Sequence, residues 1–188
     1  MNIVDSEDKI SQLIEADDWM MKVLNAASTL NLPDWWIGAG FLRNKIWNFM
    51  EGKSPEPSRD VDLVYFDSKN KTEEADWNYD AKMSLLYPFA EWEVRNQARM
   101  HYVNNFEPFM STSDGIAHWV ETATCIGVRL TGKRLEYLFC YGTADLFGLV
   151  ARPTPYFSAD KELLKKFFYR IDEKNWKNKW PHLRIETH

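Results

Sequence analysis

Two short groups of residues stand out for the chemistry that their types and spacing allow. The first is Gly38-Ala39-Gly40, which precedes a helical pattern with Arg43 and Asn44 in its first turn. A glycine turn that opens a helix presents free backbone N–H groups at the positive end of the helix dipole, a site suited to phosphate. Arg43 and Asn44 would add a charged fork and an amide. Such a turn is equally compatible with a simple chain reversal, and a dinucleotide fingerprint is excluded because Arg43 replaces its third glycine.

The second group is Asp60-Val61-Asp62, at the start of an apolar segment that continues to Phe66. Side chains alternate between the faces of a strand, so Asp60 and Asp62 share one face. Adjacent carboxylates repel each other unless a cation lies between them. Mg²⁺ suits such hard oxygen ligands and completes its shell with water and phosphate. A solvated strand start is the alternative explanation of this pattern.

The elements that must position these groups follow from hydrophobic periodicity. Helical spacing predicts one long helix over about residues 7–30, a helix from Phe41 to Met50, a weaker helix over 73–86, short helices near 115–120 and 143–150, and a C-terminal helical segment over about 159–180. Apolar or alternating runs predict strands at 34–37, 59–66, 91–98, 124–130 and 135–141, with a polar loop through 54–58. The C-terminal segment alternates Lys and Trp from Lys174 to Trp180, which is typical of a docking helix covered by lysine stems, although the rings could also stack on a base.

The last two strands are predicted to form a hairpin around Gly132-Lys133. If the turn is centred there, paired residue numbers sum to 265, which places Ile126 opposite Phe139 on one face and Arg129 opposite Glu136 on the other. The same register sets Cys125 beside Cys140. We expect two neighbouring thiols rather than a disulfide.

The length and composition of the chain set its class. With 188 residues, of which 45% are hydrophobic and 27% charged, the chain should form a single α+β domain over 1–188, a small mixed β-sheet flanked by helices. Aromatic residues reach 15%, so some rings must lie at a surface or line a pocket. The net charge of −5 disfavours non-specific adhesion to extended nucleic acid or anionic membrane. The N-terminus is acidic where a signal peptide would be basic, so we expect a cytoplasmic protein.

These motifs carry a resemblance to a known group of proteins. The segment 38–44 followed by 59–67 resembles the DNA polymerase β-like nucleotidyltransferase superfamily, whose hallmark is a glycine turn and helix followed by an Asp-x-Asp strand. Over about residues 35–183 the chain looks like a bacterial nucleotidyltransferase-like family. The further matching segments are Asn96–His101, Glu121–Thr124, Gly127–Arg129, Tyr141–Gly142 and Asp145–Phe147. The resemblance implies transfer of a nucleoside monophosphate from an NTP to an acceptor, with pyrophosphate leaving.

The resemblance also implies roles for particular residues. Asp60 and Asp62 would hold Mg²⁺ or Mn²⁺ together with a third carboxylate on a neighbouring strand, for which Glu93 is the candidate because it lies on the polar face of its strand. Arg95 could instead pair with Glu93, or Asp145 could be the true third ligand. The nucleotide would be bound by Gly38, Gly40, Arg43 and Asn44. The acceptor is not identified, and the alternative function is a catalytically degenerate module that binds nucleotide or a partner protein.

Four polar residues at the end of the third predicted strand and just after it are further candidates, either for contact with the acceptor or for holding the site in place. Asn96 and Gln97 should point to opposite faces, so that one satisfies buried backbone groups and the other faces the pocket. Arg99 is expected to anchor a buried acid, or else to contact substrate. His101 could act as general base toward an acceptor hydroxyl, with a structural, hydrogen-bonded role as the alternative.

Overall fold

A computed structural model describes residues 1–54 and 60–187 of the chain. The predicted loop positions 55–58, and Arg59 at the start of the second predicted strand, lie outside the described residues. Within the described ranges, none of the helices combines the length and apolar composition needed to cross a membrane.

The described residues form ten α-helices and seven short strands. The helices are α1 (Glu7–Glu15), α2 (Asp18–Ser28), α3 (Gly40–Met50), α4 (Glu73–Leu86), α5 (Gln97–Met100), α6 (Thr112–Ala117), α7 (Ala144–Phe147), α8 (Pro155–Ala159), α9 (Lys161–Glu173) and α10 (Trp176–Lys179). The strands are β1 (Trp36–Gly38), β2 (Asp60–Tyr65), β3 (Glu91–Asn96), β4 (Ile126–Thr131), β5 (Arg134–Phe139), β6 (Val150–Ala151) and β7 (Arg184–Ile185).

The main sheet has five strands in the order β3-β2-β1-β4-β5. Only the β2–β3 pair in it is parallel, and α4 makes the crossover between these two strands. The predicted α+β class with a small mixed sheet is confirmed. Because β2 and β3 run in the same direction, their polar N-terminal ends lie side by side at one edge of the sheet.

The β4–β5 hairpin follows the predicted register. Ile126 pairs with Phe139 and Arg129 with Glu136, and the Arg129 guanidinium lies 2.7 Å from the Glu136 carboxylate. The turn is glycine-first, since Gly132 has a φ of 63°. Cys125 and Cys140 are free thiols, as expected, and the Cys140 N–H donates to the Cys125 carbonyl at 3.1 Å.

Both terminal helical predictions need correction. The single helix predicted over about 7–30 is two helices, because the Asp17 carboxylate accepts hydrogen bonds from the N–H groups of Trp19 and Met20 and so starts α2 afresh. The segment predicted over about 159–180 is likewise divided, since Asp160 caps the start of α9 and Asn175, with φ 53°, separates α9 from α10.

The two faces of the sheet bury different cores. Val61, Leu63 and Tyr65 of β2 point into the larger core, to which most of the helices contribute buried side chains. Val64 points the other way, into a small cluster with Trp36 and Ile116. Asp60 and Asp62 share the Val64 face, which is less completely covered near the start of β2. This opening in the packing is where the candidate site lies.

Candidate active site

The glycine turn joins β1 to α3, and its strained residue is the alanine between the two glycines. Ala39, the N-cap of α3, has φ 54° and ψ −125°, a combination that non-glycine residues rarely adopt. A Cβ on Gly38 would lie 2.5 Å from the Trp119 ring, so Gly38 is required for packing. Gly40 has a different role, because it opens α3 and lines a cavity.

The carboxylates of β2 and β3 lie at the same edge of the sheet. The parallel register places Asp62 directly beside Glu93, and Asp60 beside Glu91. Burial raises the pKa of Asp62, and the negative charges of Glu93 and Asp60 raise it further, while Arg170 and Lys174 partly oppose this. Asp62 is therefore harder to ionise than a solvent-exposed aspartate, and a bound cation would counter this effect.

This donor set fits a divalent cation in its chemistry. Carboxylate oxygens are the preferred ligands of Mg²⁺ and Mn²⁺, and a cation would offset the charge repulsion that raises the pKa of Asp62. Across residues 1–54 and 60–187, no three His, Cys, Asp or Glu side chains form a group arranged to hold a metal ion. The carboxylates are therefore neighbours but do not by themselves complete a metal coordination shell, so a bound ion would also need water or substrate oxygens as ligands.

Beside the carboxylates lies a cavity of about 580 Å³. Asp60 and Asp62 form part of its wall, and Gly40 and Asn44 bring the start of α3 to it. Its cationic lining residues are Arg43, Lys53, Arg170, Lys174 and Lys179. A helix N-terminus, five cations and two carboxylates thus surround one space, which suits an anionic ligand that carries a metal.

Arg43 is fixed in this wall by aromatic rings. Its guanidinium carbon lies 4.2 Å from the centre of the Trp176 ring, 5.4 Å from Trp47 and 5.7 Å from Trp180. Its Nη1 donates to Thr124 at 2.9 Å, whereas its buried Nε has no hydrogen-bond partner among the described residues. Burial lowers the pKa of Arg43 to about 10, so the guanidinium stays charged at neutral pH.

A buried acid connects Arg43 to the C-terminal helix. The Glu121 side chain is fully buried; it accepts a hydrogen bond from Thr124 at 2.8 Å and lies 2.8 Å from Arg170 Nε. The contact with Arg170 is an ion pair by distance but lacks hydrogen-bond alignment. The Glu121 carboxylate thus contacts Arg170 directly and Arg43 through the Thr124 hydroxyl.

Two of the remaining candidate residues are structural. Asn96 ends β3, donates to the carbonyls of Asp67 and Asn70, and caps α5. Arg99 pairs with the fully buried Asp76, to which its Nε donates at 3.0 Å. Gln97 begins α5 instead of continuing β3, yet the predicted division of roles is seen, because Asn96 satisfies backbone carbonyls while Gln97 lines a neighbouring cavity.

The structure also places His101, Asp145 and Arg95. His101 lies in a 3₁₀ turn, and its buried Nδ1 has no hydrogen-bond partner within the described ranges. Asp145 accepts from Thr122 at 2.6 Å and from Arg152 at 3.0 Å. Arg95 donates to Asp80 at 2.7 Å. The alternatives that paired Arg95 with Glu93, or used Asp145 as third metal ligand, are thus opposed by these contacts.

Sequence reasoning missed the cations of the C-terminal segment and the buried Glu121. Lys174, Trp176, Lys179 and Trp180 line the cavity beside Asp60 and Asp62, although the sequence favoured a docking helix covered by lysine stems. Both descriptions hold, because Trp176 and Trp180 are buried while the lysines reach the opening. The Lys and Trp alternation was the available signal, but no local pattern tells which element a helix packs against.

A sequence profile of a family described as nucleotidyltransferase matches residues 25–185. The matched range includes the glycine turn, the carboxylates of β2 and β3, and the C-terminal helices. No curated protein sequence matches the chain.

Solved structures with the same fold include CCA-adding enzymes. One determined by NMR, described as revealing a CCA-adding enzyme head domain, is 29% identical with a TM-score of 0.88, and the alignment covers 98% of both chains. The Thermotoga maritima CCA-adding enzyme complexed with tRNA is 14% identical with a TM-score of 0.58, covering 99% of this chain and 43% of that one. A CCA-adding enzyme in complex with CTP is 16% identical with a TM-score of 0.55, covering 99% and 44%. This chain thus spans less than half the length of the enzymes in these two complexes, and its likeness to them is one of fold.

Proposed function

Because the chain belongs to the nucleotidyltransferase family, we propose that it transfers a nucleoside monophosphate from an NTP to an acceptor hydroxyl in a reaction that depends on Mg²⁺ or Mn²⁺. Nucleotidyltransferases of this kind generally use a divalent metal. The acceptor oxygen attacks the α-phosphorus, the bond from that phosphorus to the β-phosphate oxygen breaks, pyrophosphate leaves, and the hydroxyl proton is released.

The composition of the 580 Å³ cavity carries this proposal. A metal-bound triphosphate presents several negative oxygens together with one or two cations. The cavity offers Asp60 and Asp62 for the cations, and its lysines and arginines for the phosphate oxygens. Arg43, whose buried Nε has no partner among the described residues, contributes a donor that an anion would satisfy.

The roles of the carboxylates follow from their positions. Asp60 and Asp62 would hold the metal, with Glu93 as the neighbouring third carboxylate. A bound metal supplies charge neutralisation at the phosphate oxygens and orients the groups that react. The chain itself positions the carboxylates through the parallel β2–β3 register, because each residue of β2 has a fixed neighbour on β3.

The triphosphate would lie against the start of α3 and the C-terminal helices. Gly40 and Asn44 supply the helix N-terminus, and Arg170 of α9 and Lys174 directly after it line the same cavity. Partial burial and the nearby charges of Arg170 and Arg43 lower the pKa of Lys174, which shows how closely the cations are grouped. Bound phosphate would relieve this repulsion. Gly38 would support the site indirectly, by admitting the Trp119 ring beside the turn.

The experiment compares the wild-type chain with Asp60→Asn and Asp62→Asn, and with Asp172→Asn as an exposed control on α9. Each protein is titrated with each NTP in Mg²⁺, Mn²⁺ or EDTA, and transfer of label from α-labelled NTP is measured. We expect metal-dependent NTP binding, and transfer reduced by at least about a hundredfold in both cavity variants, since metal stabilisation is worth several kcal/mol. Metal-independent NTP binding without transfer would instead support a non-catalytic nucleotide-binding module.

A further inference from the structure

A second cavity, of about 300 Å³, adjoins the first beside Asp62, near the start of β2. Ala39, Asp62 and Arg170 line both cavities, and Glu93 lines the second. A molecule in the second cavity would therefore lie next to the carboxylates of Asp62 and Glu93. This is the position from which an acceptor could approach a nucleotide bound in the first cavity.

Part of the lining of the second cavity is aromatic. Phe106, Phe109, His118 and Trp119 line it. The rings are already packed on one another: His118 stacks on Tyr156 with centroids 3.7 Å apart, and lies 4.7 Å from Phe109 and 5.0 Å from Phe106. Grouped rings of this kind offer faces and edges on which a further planar ring can stack.

The charges in the second cavity differ from those in the first. Its two arginines are already in ion pairs, Arg95 with Asp80 at 2.7 Å and Arg170 with Glu121 at 2.8 Å. Asp62 and Glu93 add negative charge beside them. The first cavity, by contrast, is lined by five cationic residues. A ligand that carries its own phosphate is thus better matched to the first cavity than to the second.

We propose that the second cavity is the acceptor site of the transfer proposed above, and that it takes a small planar aromatic compound without phosphate. The ring of this compound would stack against Phe106 and Phe109, and its hydroxyl would lie near the Asp62 carboxylate. The hydroxyl oxygen forms the new bond to the α-phosphorus as pyrophosphate departs with the electrons of the broken bond, and the hydroxyl proton passes to water. This inference rests on the proposed function for its chemistry, but ring binding can be measured without any transfer.

The test uses pairs of probes that differ in one feature. N-acetyltyrosinamide and N-acetylserinamide differ in the ring, and adenosine and a short single-stranded RNA with a free 3′ hydroxyl differ in backbone phosphates. Binding is followed through the indole N–H signal of Trp119 by ¹H–¹⁵N NMR, with Mg²⁺ and a non-hydrolysable NTP analogue filling the first cavity. We expect at least one of the two uncharged ring probes to bind and shift this signal, more tightly than N-acetylserinamide and the RNA.

Variants connect binding to the cavity. Phe106→Ala should weaken binding of the ring probe by about tenfold, the loss of one stacking contact with its buried area. Val103→Trp, at a half-exposed position on the rim, should block the cavity without disturbing the core. Phe168→Ala, at an exposed aromatic position on α9 outside the cavity lining, is the matched control and should bind as wild type.

Three outcomes would overturn the inference: ring probes that bind no better than N-acetylserinamide, RNA that binds in preference to both ring probes, or binding that Phe106→Ala and Val103→Trp leave unchanged. Failure of the proposed function gives a different result. In that case ring probes would still bind beside Trp119, whereas NTP binding would be absent or independent of metal.

Discussion

Glu121→Gln tests the network that holds two cations of the first cavity in place. The substitution keeps the shape of the side chain and an acceptor for Thr124, but removes the buried negative charge 2.8 Å from Arg170. Removing one partner of a buried ion pair typically costs about 3–5 kcal/mol. The Arg170 side chain is 30% exposed, so solvent screens part of its unpaired charge, and we expect a loss of about 2–3 kcal/mol in the free energy of unfolding.

The loss can be measured by urea unfolding followed through tryptophan fluorescence, and by thermal unfolding. For a chain of this length the expected loss lowers Tm by about 5–10 °C. Glu162→Gln is the matched control, because it removes the same charge from an exposed pair with Lys165 on α9 and should hardly move the midpoint.

A double variant separates charge from packing. In Glu121→Gln combined with Arg170→Gln, the arginine that lies directly against Glu121 is removed together with the charge it pairs with. The destabilisation of the double variant should therefore be smaller than the sum of the two single destabilisations by about 1 kcal/mol or more. A loss of less than about 0.5 kcal/mol in Glu121→Gln, or two simply additive effects, would show that Glu121 and Arg170 do not form a stabilising buried ion pair.

Three further predictions concern the site and its supports. Ala39→Gly should raise the free energy of unfolding by about 1 kcal/mol in urea, because glycine adopts φ 54° and ψ −125° without strain; an unchanged or lower value would show that the alanine is not strained. Glu93→Gln should slow label transfer and weaken metal-dependent NTP binding, while Glu91→Gln on the same strand face should not, because the register places Glu93 and not Glu91 beside Asp62; equal effects would exclude Glu93 as third carboxylate. Asp17→Asn should destabilise the fold at pH 7 by about 1 kcal/mol, because asparagine keeps the N-cap acceptor but loses the negative charge that pairs with Lys45 at 2.6 Å and lies at the start of α2. Although burial alone would raise the pKa of Asp17, the hydrogen bonds from Lys45 and from backbone N–H groups lower it, so its contribution is present above pH 3.8 and is lost as the pH falls through the lowered pKa. The free energies of unfolding of wild type and Asp17→Asn should therefore become equal at acidic pH. A constant difference down to pH 2.5 would contradict the lowered pKa of Asp17.

Several features of the fold could be predicted because they depend on local pattern. Alternation placed Asp60, Asp62 and Val64 on one face of β2, and two-residue turn chemistry fixed the pairing of Ile126 with Phe139. The terminal helices could not be divided correctly, since a cap such as Asp17 interrupts a helix without interrupting its hydrophobic period.

The residue types at the site could be recognised from local pattern: a turn suited to phosphate, a pair of carboxylates on one strand face and a third on an alternating strand. These are properties of neighbouring residues, which backbone geometry fixes within a few positions. Tertiary packing places Glu93 beside Asp62, and it brings Arg170, Lys174 and Lys179 from the C-terminal part of the chain to the cavity. It also packs Arg43 against three tryptophan rings and forms the aromatic cavity next to the carboxylates. Packing between distant elements depends on the shape and charge of whole surfaces, and no local period encodes which surfaces meet.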